Sequence, residues 1–134
     1  MTEHATEPAE RGRRTLDEMS DLVGDQGHTT NTRRWGRLVD QWLSDGQALA
    51  QSEDGRAAIA ALMDDPRPTV RLWSAAAVLF WDADAARPIL TEIRDSPIRY
   101  DLHSIMAKHT LLEFDAGRLA RDAALPGSPG AATG

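Results

Sequence analysis

The 134 residues allow one ordinary domain, and a hydrophobic content of 41% is enough for a packed core. The absence of cysteine excludes disulfides, thiolate metal sites and a cysteine nucleophile. A net charge of −6 argues against a general nucleic-acid binder, whose affinity rests on neutralising phosphates.

The opening stretch, residues 1–14, is polar and mixed in charge. It has no apolar run for a signal peptide and no helical periodicity, so it reads as a disordered arm. No window approaches the roughly 18 apolar residues of a membrane span, and a cytoplasmic protein is expected.

Thr15-Leu16-Asp17-Glu18 fits a capping box, which starts a first helix at Thr15. Leu16, Met19, Leu22 and Val23 make its apolar face, and Gly24 and Gly27 end it. A second helix runs from about Thr30 or Asn31 to Ser44, with its extension across Gly46 left open. Trp35, Leu38, Val39, Trp42 and Leu43 follow the i, i+3, i+4, i+7, i+8 template.

Four more helices are expected. Residues 55–63 form a short one that stops at Asp64-Asp65-Pro66. Residues 69–81, TVRLWSAAAVLFW, form a strongly apolar one. The next begins near Asp82 or Ala83 and ends at Asp95-Ser96-Pro97, with Pro88 in its first turns, where a missing N–H costs least. The last spans about 99–116 and carries Leu102, Ile105, Met106, Leu111, Leu112 and Phe114. Residues 122–134, a Gly/Pro/Ala tail, have nothing to pack and read as disordered.

These four helices are two copies of one pattern. Ile59, Leu62, Asp64 and Pro66 align with Leu90, Ile93, Asp95 and Pro97 at an offset of 31. With one further residue inserted, Val70, Ala75 and Leu79 fall on Leu102, Ala107 and Leu111. Repeated helix pairs without strand signals indicate an all-α solenoid of five to six helices, each pair burying its apolar face on its neighbour.

The segment Asp65-Pro66-(x)3-Val70-Arg71, followed by Ser74-Ala75-Ala76-Ala77, resembles the HEAT-repeat consensus. Val70-Arg71-Leu72-Trp73-Ser74-Ala75-Ala76 and the stretch Thr110 to Leu119 are similar to a bacterial HEAT-like family, domain of unknown function 2019. The resemblance spans roughly residues 16–119. It implies a right-handed helical stack without known catalytic residues. By analogy with HEAT-like immunity proteins, it also implies a role in neutralising a toxin.

His103 and His109, six apart, point in different directions and miss the i, i+3 and i, i+4 ligand spacings, so no metal is expected and both read as surface or half-buried. Asp64-Asp65 and Asp82/Asp84 sit at helix junctions, where carboxylates cap or satisfy turn N–H groups. No serine lies in a nucleophile elbow, and there is no phosphate loop. No enzyme activity and no cofactor are therefore expected.

The expected role is protein binding, by an immunity protein in its concrete form. The candidate surface is Asp64, Asp65, Arg71, Trp81, Asp82 and Asp84, facing a basic partner, because Trp and Arg dominate interface hot spots. The alternatives are a nucleic-acid-associated protein using Arg33, Arg34, Arg37, Arg71 and Arg99, and a scaffold subunit of a larger assembly.

Overall fold

A computed structural model describes residues 3–24, 27–97 and 101–118. Of these, 79% are helical and none is in a strand. Six α-helices pack against one another as a short helical-repeat stack: α1 (Glu3–Val23), α2 (Thr32–Leu49), α3 (Glu53–Ala61), α4 (Pro68–Val78), α5 (Ala83–Arg94) and α6 (Leu102–Asp115). The expected disordered tail, 122–134, lies outside the described residues, as does Arg99.

The first correction concerns the N-terminus. Residues 3–14 are not an arm but the first three turns of α1. Thr15 is therefore no cap. It lies in the helix interior, buried, and its hydroxyl donates to the Arg11 carbonyl at 3.0 Å. What holds this polar segment is tertiary: Arg11 Nε donates to Asp45 of α2 at 3.1 Å. Asp45 is nearly fully buried and also accepts two bonds from Gln41. The same anchoring, with Leu49 buried in its last turn, carries α2 across Gly46 to Leu49.

Short capping interactions set the other starts. Asn31, Ser52, Asp82 and Asp101 accept from the backbone N–H groups of Arg34, Gly55, Ala85 and His103. Pro88 is the sixth residue of α5, past the first turn, so it leaves the Asp84 carbonyl without its usual donor; both residues are exposed.

The hub is α4. Nine of its eleven residues are buried, and it packs against α1, α3, α5 and α6. Val70, Leu72, Trp73 and Val78 are at most 1% exposed. Each such large side chain contributes about 1.5–3 kcal/mol relative to leaving it in water. Trp73 meets Trp35 of α2 edge to face at 5.8 Å, and Phe80, just beyond α4, meets Phe114 of α6 the same way at 6.0 Å. The repeat offset is visible in burial: Ile59 and Leu90, Ala75 and Ala107, and Leu79 and Leu111 are all core. Trp42, wholly buried between α1 and α2, leaves its indole N–H without an acceptor.

Gly55 sits where α3 starts directly beneath the end of α2. A Cβ there would lie 1.9 Å from the Leu49 carbonyl oxygen. Gly55→Ala, ordinarily helix-favouring, should therefore destabilise the protein by about 1–3 kcal/mol, as overpacking does. A lowered urea midpoint would show it, and an unchanged midpoint would contradict the close approach.

Candidate functional site: the outward face of the last helix

Helix α6 is held from inside by a buried polar chain. His103 is 2% exposed, which corrects the expectation of a surface or half-buried histidine. Its backbone N–H donates to Asp101 at 3.0 Å, and its ring Nδ1 lies 3.1 Å from the same carboxylate oxygen. In the neutral imidazole the proton on Nδ1 faces Asp101, so Nε2 accepts the Thr69 hydroxyl of α4 at 2.6 Å. Carboxylate, imidazole and hydroxyl stand in the order of a catalytic triad, yet all three are buried, Thr69 at 1% exposure. A substrate cannot reach the hydroxyl, and the arrangement acts as a brace between α4 and α6. Gly27, at φ +75°, lies against the imidazole, where a Cβ would sit 3.1 Å from it.

The outside of α6 is different in kind. Ile105, Lys108, His109, Leu112 and Ala116 are exposed, at the i, i+3, i+4, i+7, i+11 spacing of a single helical face. Ile105 is 59% and Leu112 55% exposed, the two large hydrophobic side chains most open to solvent among the described residues. Beside Leu112 runs a groove of about 480 Å³ between α5 and α6, lined by Arg94, Asp95, Lys108, Leu111, Leu112 and Asp115.

The carboxylates around this face are matched. Arg94 donates to Asp95 at 2.9 Å, Arg87 to Asp115 at 2.6 Å and Arg118 to Glu113 at 2.6 Å. These guanidinium hydrogen bonds hold all three carboxyls below their ordinary pKa. Lys108 has no carboxylate partner among the described residues.

Several residues of the surface expected from sequence have contacts within the chain. Asp65 is paired with Arg67, Arg71 with Glu92 at 3.2 Å, and Asp82 caps α5. Trp81 is half-buried with the Arg56 guanidinium 5.8 Å over its ring. Asp64 and Asp84 are exposed. Asp64 and Asp65 precede α4 while Trp81, Asp82 and Asp84 follow it, so the length of an eleven-residue helix separates the two groups. Among the arginines of the nucleic-acid alternative, Arg34 pairs with Glu18 and Arg71 with Glu92, leaving Arg33 and Arg37 exposed on α2. Among the described residues no His, Asp or Glu cluster of metal-binding size occurs, and no helix is long and apolar enough to cross a membrane.

Reasoning from sequence missed the α6 face because it treated the apolar residues of 99–116 as one set. The available signal was angular. Ala107 and Leu111 lie one turn apart, while Ile105 and Leu112 lie on the far side of the same helix.

No family model, curated protein or solved structure matches the chain.

Two measurements test the supports of this site. His103→Phe leaves Asp101 buried without its ring partner and should cost roughly 3 kcal/mol. His109→Phe, on the exposed face, should stay within about 0.5 kcal/mol. Equal effects in chemical denaturation would refute the brace. Arg67 bridges Asp65 and Asp17 across the start of α4, and its hydrogen bonds pull Asp65 below the usual carboxylate range. With a lowered folded pKa, that contribution is complete above about pH 4 and is lost as pH falls through the folded value. Arg67→Ala should cost about 1 kcal/mol near neutrality, discounted for partial exposure, and the difference from wild type should shrink in acid. A gap that widens as pH falls would contradict the sign.

Proposed function

We propose that this chain is a protein-binding helical module whose partner seats on the outward face of α6. The observation that carries this reading is the exposure of Ile105 and Leu112, each more than half open to solvent, on one face of α6. Among the described residues the outer face of α6 is only partly polar, with Lys108 and His109 lying between Ile105 and Leu112. Large apolar side chains exposed on one helical face and flanked by charge are a common mark of an interaction surface.

The more specific form, an immunity protein that occludes a toxin, draws on the HEAT-like resemblance, which includes the family named domain of unknown function 2019. A scaffold role would use the same face within a larger assembly. Catalysis has little support from the Asp101–His103–Thr69 series, since all three residues are buried.

A photo-crosslinking residue at position 105, in the full chain within its native cell, should give an adduct with another protein. Leu112→Ser should abolish that adduct while leaving the unfolding midpoint within about 0.5 kcal/mol, as for ordinary surface substitutions. No adduct, or one indifferent to Leu112→Ser, would sink the reading. For the toxin-neutralising form, co-expression with the neighbouring gene product should protect cells, and Leu112→Ser should remove the protection.

A further inference from the structure

We infer that the outward face of α6 receives an acidic amphipathic helix of another protein, its apolar side chains meeting Ile105 and Leu112 and a carboxylate meeting Lys108. The inference rests on the protein-binding reading above and adds the chemistry of the partner.

Three features converge on a helix. Ile105 and Leu112 are seven residues apart, about 10.5 Å along the axis, which matches the i, i+7 anchors of a second helix. The groove beside Leu112 gives room for one further side chain from that helix. The internal repeat points the same way. Under the offset that places Leu79 on Leu111, Phe80 falls on Leu112. Phe80 is the side chain through which the α4 end meets Phe114 of α6. Leu112 thus stands where the stack would continue onto another helix.

Charge selects the kind of helix. Lys108 is the chain's single lysine, and it stands between the two apolar anchors with His109 beside it. The neighbouring carboxylates, Asp95, Glu113 and Asp115, are each held by an arginine. Among the described residues the cation at the centre is therefore the unmatched charge of the face, and a partner carboxylate would complete it. A second copy of this chain fits poorly. A two-fold axis that pairs Ile105 with Leu112 sets Lys108 opposite His109 of the second copy, which offers it no carboxylate at that point.

The probes are two stapled helical peptides of about five turns. Both carry leucines at i, i+3, i+4 and i+7; one has glutamates flanking them and the other has lysines at the same positions. Fluorescence anisotropy with the full chain should show the acidic peptide binding about tenfold or more tighter, with the preference shrinking as salt rises. Lys108→Glu should invert the order, and Leu112→Ser should weaken the acidic peptide by about tenfold, or 1.4 kcal/mol. Absent or equal binding would overturn the proposal. So would a concentration-dependent dimer abolished by Leu112→Ser, or a crosslink from position 105 to residues 119–134 of the same chain. If the peptides bind equally while the cellular adduct still depends on Leu112, the acidic-helix inference falls and the protein-binding reading stands. If adduct and peptide binding are both absent, both fall.

Discussion

Helix α4 is apolar on every side, and a helix of that composition is stable only where others cover it all round. That requirement organises the molecule. Its neighbours α1, α3, α5 and α6 each surrender an apolar stripe to it, and its alanines let them approach closely. The burial is available because the helix carries little to desolvate. Its two buried hydroxyls, Thr69 and Ser74, are both hydrogen-bonded, Ser74 to the Val70 carbonyl at 2.7 Å.

Polar groups then fix how the covering helices are oriented. Apolar contact is non-directional and would tolerate many rotations of one helix on another. Asp45 with Arg11, Asp101 with His103 and Thr69, and Arg67 between Asp65 and Asp17 each join different helices at defined distances. Buried charge contributes little net stability after desolvation, and breaking a pair is costly. These bonds therefore act against alternative packings more than they add stability.

The contrast between α4 and α6 leads to function. Both derive from the same repeat, and both carry apolar residues around the wheel. Among the described residues helices surround α4, whereas α6 is covered on one side and exposes Ile105 and Leu112 on the other. The arginine–carboxylate pairs beside it leave Lys108 as the local excess charge. The proposed partner helix would cover that surface.

Local pattern determined much of this from the sequence. The helix class, the junctions at Asp64–Pro66 and Asp95–Pro97, the start of α2 at Asn31 and the 31-residue repeat all follow from periodicity, capping chemistry and proline, which act over a few residues. Tertiary structure decided the rest. Residues 3–14 are helical where Arg11 meets Asp45, 34 positions away, and Gly12 lies against Trp42, and His103 is buried beside Thr69, also 34 away. Packing also decided where the six candidate surface residues stand. Asp65 and Arg71 found partners within the chain, and α4 set Asp64 and Trp81 at its opposite ends. Which apolar face of α6 meets the core and which meets water was likewise settled by packing, because both faces satisfy the helical period equally well.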